Sequence, residues 1–514
     1  MKHKALYITL FALIVAVLAL PAVQQHGRLF KFFPLYGATE VTEKPEFTFK
    51  GFMSGAYQAQ EDQYLSENIG FREPMIRCYN QLVWSLFRKT QNKTIFINDD
   101  NWIFNDYTIK HFYGQSVYDF GESSEAVLQK MQSDAKMLYQ LQEVLKEYGI
   151  AFFVCLAPGK DLVCAEHVPV VKGFTRPPGI RAIDYYPAMF DSLGINCLDF
   201  SKYYMEIKDT VSYPLYLKSS SHWSNQAAVF AADSLFRYME ALGGFNMHNL
   251  VIGDAYTDKT HFLDSDLEDV MNLLWPIETG ENEYNRFSVD HDTTAIKPNL
   301  FTVGDSYYKG FIYNLTLDQF FETHHYWYYN KIVHDDPLHS YVDEVDIVRE
   351  LLSSDVVMLI YTSCNLFDLN RHFLTRALFN LYYEDGVVEA KLEELKRGIR
   401  NTPDWFAGIE RDALKSGQDV EEALDGNARY LLYGSPGLYF DEFNQVEVPS
   451  CRNSRIAKVL PQVKDRKREK YRQQMLRDQK WLASIKEKAK ASNISVEDAI
   501  ERDLDWILKK QEKE

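Results

Sequence analysis

The chain has 514 residues, of which 46% are hydrophobic and 25% charged, so it can bury a large core and is not disordered throughout. This length exceeds what one hydrophobic core usually organises, which predicts a main domain and at least one appended unit. The formal net charge of -17 argues against a general nucleic-acid binder, because such proteins present a net basic surface to the phosphates.

The N-terminus carries a membrane signal. Lys2 and Lys4 precede an uncharged apolar run from Ala5 to Val23, which is long enough to span a bilayer as a helix. Residues 1–23 are therefore expected to form a retained transmembrane anchor. A cleaved signal peptide is the alternative, because Leu20-Pro21-Ala22 resembles a cleavage site. Residues 24–119 are expected to hold a linker and the first part of the folded region.

The six cysteines lie far apart and include no CxxC pair. No histidine stands near them at zinc-ligand spacing, so no structural zinc is expected, and nothing else in the sequence indicates a metal or an organic cofactor. Cys155 lies in an apolar run and is expected to be a buried, small hydrophobic residue. Disulfides among the others, which include Cys451, are left open.

A repeated helix and strand pattern predicts the main fold. Apolar residues recur at intervals of three and four residues between Ser124 and Tyr148, and Gly149 follows, as in an amphipathic helix. The apolar run 150–157 then ends at Pro158-Gly159, as in a strand buried on both faces. Similar runs occur at 195–200, 299–303 and 355–362. This predicts a doubly wound, parallel α/β sheet flanked by helices over residues 120–380.

Residues 389–514 are expected to form a helical extension. The segment is charged and contains a repeat, in which Trp405, Ile409 and Ala413 recur as Trp481, Ile485 and Ala489. The repeat predicts two helical hairpins, at about 399–432 and 475–508. They are interpreted either as a packing appendage or as a docking unit for a partner.

Ser306 is the candidate nucleophile. A predicted strand ends at Gly304-Asp305-Ser306, and a helix is expected to follow. Backbone N–H groups and the positive end of a helix stabilise an oxyanion, which acyl transfer through a serine ester requires. An ordinary turn uses the same residue types, with Asp305 shaping the backbone.

His222 is the candidate base. It stands in a loop before an apolar helix, for which Ser224 is a natural N-cap. The nearby helix N-terminus disfavours imidazolium and so favours a neutral base, whereas the alternative is a capping or core histidine. Trp223 is the aromatic residue expected near the site. Asn365 follows the predicted strand 355–362 and is a candidate oxyanion donor, since sites assemble at strand ends in open α/β sheets.

These motifs occur in an order that resembles the alginate O-acetyltransferase family of SGNH hydrolase-like proteins, of the AlgX and AlgJ type and similar to DltD. His222-Trp223-Ser224 precedes an alanine-rich helix, and Gly304-Asp305-Ser306 follows downstream. Further similar segments are Asn68-Ile69-Gly70-Phe71-Arg72, Asn101-Trp102-Ile103-Phe104 and Ala157-Pro158-Gly159-Lys160. The resemblance covers roughly residues 49–366 and implies an SGNH hydrolase-like fold with Ser306 and His222 as the reactive pair.

One departure from the family pattern affects the expected chemistry. The family has Asp-x-His-Trp, and Ser220 stands at the aspartate position. Loss of the orienting carboxylate lowers turnover about ten-thousandfold in a serine protease. Asp264, Asp266 and Asp269 lie in an acidic segment that could fold back to the site, and the sequence does not choose between them.

The resemblance implies an O-acetyltransferase or acetylesterase that acts on an envelope polysaccharide through a Ser-His acyl-enzyme. It also implies a membrane-bound O-acyltransferase partner that supplies the acyl group, and a location on the periplasmic side of the inner membrane. The alternative, favoured by Ser220, is a catalytically degenerate SGNH-like protein that binds a glycan or assembles envelope machinery. A third interpretation is a structural envelope protein in which these residues serve only turns and caps.

Overall fold

The computed structural model describes residues 2–37, 42–115, 124–173, 181–277, 281–292, 295–336, 338–446 and 453–511, so Cys451 lies outside it. Within these ranges one helix, Leu6–Gly27, is long and apolar enough to cross a membrane, with a mean hydropathy of 2.6. It is part of the first element of the N-terminal region. The elements here are α1 (Lys2–Gly27), α2 (Phe49–Ser54), α3 (Ala56–Asn68), α4 (Arg72–Phe87), β1 (Ile95–Ile97), β2 (Ile103–Asn105) and α5 (Asp106–Phe112).

The central region alternates strands and helices. Its first half contains α6 (Ser124–Glu147), β3 (Ala151–Ala157), α7 (Lys160–Val163), α8 (Tyr186–Leu193), β4 (Cys197–Asp199), α9 (Phe200–Ile207), α10 (Asn225–Gly243) and β5 (Asn249–Lys259). Its second half contains α11 (Asp266–Asp269), β6 (Glu281–Asp290), β7 (Asn299–Gly304), α12 (Lys309–Asn314), β8 (Thr323–Tyr328), β9 (Ile332–His334), α13 (Ile347–Ser353), β10 (Val356–Thr362) and α14 (Phe373–Tyr382).

Six of these strands form the main sheet, in the order β4-β3-β10-β7-β8-β9. Neighbouring strands are parallel except β9, which runs antiparallel to β8 at the edge. Alternate residues of β3 enter different hydrophobic clusters, with Phe152 and Val154 on one face and Phe153 and Cys155 on the other. Helices cover both faces, which confirms the predicted doubly wound sheet with the addition of one antiparallel edge strand.

Two features of the sheet region were not predicted. The strands β8 and β9, at the β9 end of the sheet, carry histidines and a mixed burial pattern, so they lack the continuous apolar run of a buried strand. The antiparallel pair β5 and β6 is largely exposed and forms a separate two-stranded sheet. Exposed strands show little apolar alternation, which is why the sequence pattern passes over them.

The C-terminal region is helical. It contains α15 (Asp385–Arg400), α16 (Pro403–Ser416), α17 (Val420–Gly434), α18 (Ser454–Arg477), α19 (Gln479–Ser492) and α20 (Val496–Gln511). Ile409 and Leu424 join the hydrophobic core of the main sheet. Ile485 and Ala489 instead pack in a separate cluster with Ile296. The two repeated segments therefore pack in different surroundings.

Helix α4 connects the N-terminal region to α11. Trp84 is buried in a small cluster with Ile95, Ile103, Leu267 and Met271. Leu267 directly follows Asp266 in the chain, and Met271 lies four residues further on. Their packing in this cluster therefore helps to fix the position of the Asp266 side chain.

Candidate active site

The strand β7 delivers Ser306 to the carboxyl edge of the sheet. A Cβ atom on Gly304 would lie 2.2 Å from the carbonyl oxygen of Ile360, so only glycine fits where β7 meets β10. The Asp305 N–H then donates to the same Ile360 oxygen at 3.1 Å. Ser306 begins a short 3-10 turn, Ser306–Tyr308, which runs directly into α12. The serine therefore stands at the start of a helical segment.

The side chain of Asp305 is fully buried and fixes this turn. Oδ1 accepts the N–H of Tyr307 at 3.1 Å. Oδ2 accepts the N–H and the hydroxyl of Thr362 at 2.8 and 2.9 Å, and Nδ2 of Asn365 at 2.7 Å. Asp305 thus joins the Ser306 turn to the end of β10 and contacts neither reactive atom.

His222 lies in hydrogen-bond contact with the serine. Its Nε2 atom is 2.9 Å from Ser306 Oγ. The following helix, α10, begins with Ser224 as its N-cap, whose hydroxyl accepts the N–H of Ala227 at 3.2 Å. The ring of Tyr307 packs against the imidazole at a centroid distance of 5.1 Å, and its hydroxyl donates to the Ser221 carbonyl at 2.6 Å. Ser306 and His222 are thus brought together as a nucleophile and base require.

Asp266 occupies the other side of the imidazole. Its Oδ2 atom is 2.9 Å from His222 Nδ1, and its Oδ1 accepts the backbone N–H of Ser221 at 2.7 Å. The Ser221 hydroxyl also donates to Oδ2. Burial alone would raise the pKa of this carboxyl, but His222 and the hydrogen bonds from Ser221 together hold its pKa below the usual range. The ionised carboxylate can therefore orient the His222 ring and stabilise its cation.

Ser220 has a different function from the aspartate of the family motif. Its hydroxyl accepts the N–H of His222 at 2.9 Å and donates to the carbonyl of Leu263 at 2.6 Å. The side chain is 1% exposed. Ser220 therefore shapes the histidine loop and ties it to the segment just before Asp266.

Lys160 stabilises the loop that contains Ser220 and His222. Its ammonium group is buried and donates to the carbonyls of Ile103, Lys218 and Ser220 at 2.8, 2.8 and 2.7 Å. It also lies 5.0 Å from the ring centre of Phe104. Burial lowers the pKa of Lys160 to about 7. The three acceptors compensate part of the cost of burying this group.

Asn365 and Trp223, the remaining predicted residues, lie around the site and support the residues that form it. Asn365 directs its amide to Asp305 and lies 3.4 Å from the hydroxyl of Tyr329. Trp223 is a core residue, 2% exposed, whose ring packs against Tyr307 and Phe311 at 5.5 and 5.1 Å. It supports the turn that carries Ser306.

Sequence reasoning did not assign functions to Lys160 or Tyr307, and it left three aspartates open. A signal for Asp266 exists in its neighbours: Leu267 and Met271 are spaced as one face of a helical turn and are both buried. Such spacing predicts that the segment packs against the folded body and that Asp266, which immediately precedes Leu267, is brought close to it. Asp264 and Asp269 instead accept hydrogen bonds from Tyr284 and Ser265.

Comparison with known proteins agrees with the order of these motifs. Residues 99–307 match the family described as an SGNH hydrolase-like domain, acetyltransferase AlgX. No curated protein gives a significant match to the chain.

Several solved structures match part of this chain at low similarity. The O-acetyltransferase domain of Pseudomonas putida AlgJ is 14% identical, with a TM-score of 0.34 over 53% of this chain and 92% of that one. Pseudomonas aeruginosa AlgX is 16% identical, with a TM-score of 0.33 over 53% of this chain and 66% of that one. Bacillus cereus PatB1 with a sulfonyl adduct is 11% identical, with a TM-score of 0.34 over 54% and 99%. Similarities this low say nothing about function. The family match and the order of the motifs assign residues 99–307 of this chain to an SGNH hydrolase-like domain of the AlgX type.

Proposed function

We propose that this protein is an O-acetyltransferase or acetylesterase of an envelope polysaccharide, which works through an acyl-enzyme on Ser306. The observation that carries the proposal is the continuous contact from Ser306 Oγ to His222 Nε2 and from His222 Nδ1 to Asp266 Oδ2, each of 2.9 Å. A hydroxyl, an imidazole and a carboxylate in this order are the arrangement that activates a serine.

The first half-reaction forms an ester on the enzyme. His222 Nε2 takes the proton from Ser306 Oγ as this oxygen attacks the carbonyl carbon of the acyl donor. The negative oxygen of the tetrahedral intermediate forms beside the backbone N–H of Ser306 at the start of the Ser306–Tyr308 turn, and this N–H can stabilise it. When the intermediate collapses, His222 returns the proton to the leaving group, and the acyl group stays on Ser306.

The second half-reaction reverses these steps. A sugar hydroxyl, or water in the case of hydrolysis, gives its proton to His222 Nε2 and attacks the ester carbon. Ser306 leaves and regains its proton. Throughout both steps Asp266 accepts the Nδ1–H of His222, which fixes the tautomer and stabilises the imidazolium that forms.

The degenerate, binding-only interpretation loses its main support. It depended on Ser220 in place of the orienting aspartate, whereas Asp266 places a carboxylate on His222 Nδ1 from another element. The carboxylate of a catalytic triad is identified by its contact with the histidine and not by its position in the sequence.

The family description as an acetyltransferase supports acetyl as the acyl group, and the resemblance to AlgX and AlgJ supports a polysaccharide acceptor. Helix α1, apolar over Leu6–Gly27, is proposed as a retained anchor that holds the domain on the periplasmic side of the inner membrane. A membrane-bound O-acyltransferase is the proposed partner that presents the acyl group.

The proposal is tested with the full chain in lipid nanodiscs, a chromogenic acetyl ester and a serine-directed phosphonate. Wild type is expected to cleave the ester and to carry the phosphonate on Ser306. Ser306→Ala is expected to abolish both reactions and His222→Ala to reduce both strongly, while Ser192→Ala, at an exposed serine, leaves them unchanged. Equal inactivity of wild type and both site variants would overturn the acyl-enzyme mechanism.

A further inference from the structure

The inner face of α4 belongs to the folded body. Trp84 is 5% exposed and packs with Leu267 and Met271 beside α11. Asn80 Nδ2 donates to the Met271 carbonyl at 2.9 Å. This face of α4 therefore supports the element that carries Asp266.

The outer face of α4 is exposed and carries no charge. All of α4 lies within the described residues, and its exposed side chains are Met75, Cys78, Tyr79, Leu82, Ser85, Leu86 and Phe87. Most of them recur at intervals of three and four residues, so they form one stripe along the helix. Tyr79 is 55% exposed and Leu86 is 64% exposed. A helix stripe that faces water normally carries charged residues, and a contiguous apolar patch marks an interaction surface.

The surroundings of this stripe are those of a membrane interface. Trp275 is 67% exposed and lies beside α4, because its backbone N–H donates to Gln81 Oε1 at 3.1 Å. Tryptophan is enriched where membranes meet water. Arg88, Lys89 and Lys93 are exposed just beyond the C-terminal end of α4. Cations that flank an apolar face can bind the phosphates of lipid headgroups.

The C-terminal part of α1 and the residues that follow it contact the residues just before α4. Phe71, the N-cap of α4, packs against Phe30 and Phe32 with ring centroids 6.1 and 5.5 Å apart. Gly70 lies so close to α1 that a Cβ atom would be 2.1 Å from the Pro21 carbonyl oxygen.

The chain that leaves α1 is then held along α4. Arg77 donates to the carbonyls of Phe33 and Pro34 at 2.8 and 2.7 Å. Helix α4 therefore begins where the chain leaves the candidate membrane span, so its apolar stripe continues from that span.

We propose that the outer face of α4, together with Trp275, lies in the headgroup region of the bilayer that α1 enters. The proposal rests on the retained anchor of the proposed function. A lipid surface fits because the apolar stripe follows the span directly and has cations at its far end. Since the inner face of α4 packs beside α11, this attachment holds the Ser306 site at a fixed height above the bilayer.

Cys78 provides a native probe, because it is exposed on the outer face. A nitroxide on Cys78 of the full chain in phosphatidylcholine nanodiscs is expected to collide more often with oxygen than with a water-soluble nickel chelate. Cys78→Ser measures labelling of other cysteines. Leu414→Cys on that background places the control label on α16, where Leu414 is 84% exposed, and is expected to collide more often with nickel.

A second variant tests the stripe itself. Leu82→Glu with Leu86→Glu is expected to reverse the ratio of oxygen to nickel collisions at position 78, while the midpoint of urea denaturation stays close to that of wild type because both side chains are exposed. Collision with nickel at Cys78 equal to that of the Leu414→Cys label overturns the proposal. The proposal is also overturned if the label on Cys78 is shielded from nickel in native membranes but not in phosphatidylcholine nanodiscs. That result would assign the outer face of α4 to a protein partner. Phosphonate labelling of Ser306 in the same samples reports separately on the proposed function.

Discussion

His222 Nδ1 lies 2.9 Å from Asp266 Oδ2, although the two residues belong to different elements, the loop before α10 and the first residue of α11. The family motif provides its carboxylate two residues before the histidine, and here that position holds Ser220. The chain thus reaches the same contact from another part of the fold. Three backbone contacts stabilise this alternative: Ser219 O accepts the N–H groups of Leu267 and Glu268 at 3.1 and 3.2 Å, and Ser221 N–H donates to Asp266 at 2.7 Å.

The first prediction concerns the orienting carboxylate. Asp266→Asn keeps the shape of the side chain but offers an amide to Nδ1, so His222 adopts the wrong tautomer and its cation loses stabilisation. Turnover of an acetyl ester is expected to fall by about ten-thousandfold, as when the acid of a serine triad is replaced. Steady-state kinetics and the rate of phosphonate labelling at Ser306 measure the effect.

Asp269→Asn is the matched control, because this neighbouring aspartate contacts Ser265 and not the imidazole. It is expected to leave turnover within about threefold of wild type, as an ordinary substitution outside the site would. A loss of similar size in both variants would mean that general disruption of α11, and not the contact with His222, explains the effect.

The same pair of variants gives a prediction for pH. The pKa of Asp266 is held below its usual value, so its contribution to stability is present above the unfolded pKa of about 3.9 and is lost as the pH falls through the folded pKa. The stability of wild type relative to Asp266→Asn should therefore decrease below about pH 4.

Asp269 has the opposite sign, because burial raises its pKa. Wild type relative to Asp269→Asn should therefore become more stable as the pH falls. Urea unfolding of the three proteins between neutral and acid pH measures both differences. Parallel curves for the two variants would contradict the assignment.

The sequence predicts the sheet well and the acid poorly, for a physical reason. The strands β3, β7 and β10 are continuous apolar runs because both of their faces are buried, and Ser306 and His222 lie in local turn and cap patterns. The contact between Asp266 and His222 depends on tertiary packing of α11 under Trp84, which no local period encodes. The strands β8 and β9 are missed for a related reason, since partial exposure removes their apolar pattern.

Asn365 could either stabilise the buried side chain of Asp305 or donate to the oxyanion, and substitutions distinguish these two functions. Its amide donates to Asp305 Oδ2 at 2.7 Å, so Asn365→Ala is expected to lower the free energy of unfolding by about 1–2 kcal/mol and turnover by less than about tenfold. Thr362→Val removes another donor to the same oxygen and should behave similarly. If Asn365→Ala alone lowers turnover by about a hundredfold or more without loss of stability, Asn365 is an oxyanion donor instead.

Lys160 is expected to act by holding the histidine loop. Lys160→Met keeps the length of the side chain but removes the ammonium that binds the carbonyls of Ile103, Lys218 and Ser220. Each buried carbonyl left without a donor costs about 1–3 kcal/mol, so a loss of at least about 2 kcal/mol in unfolding free energy is expected. Because Ser220 is close to His222 in the chain, displacement of the loop should also lower kcat, by about a hundredfold for a shift of about 1 Å.

Lys208→Met is the matched control for this substitution. Lys208 also donates to a backbone carbonyl, that of Val163 at 3.0 Å, but its other partner is the exposed Glu166. Surface pairs of this kind contribute at most about 1 kcal/mol, so the control should lose little stability and no activity. Urea denaturation and separate determination of kcat and KM test both variants. If Lys160→Met loses stability but keeps the kcat of wild type, the buried ammonium supports the fold without positioning His222.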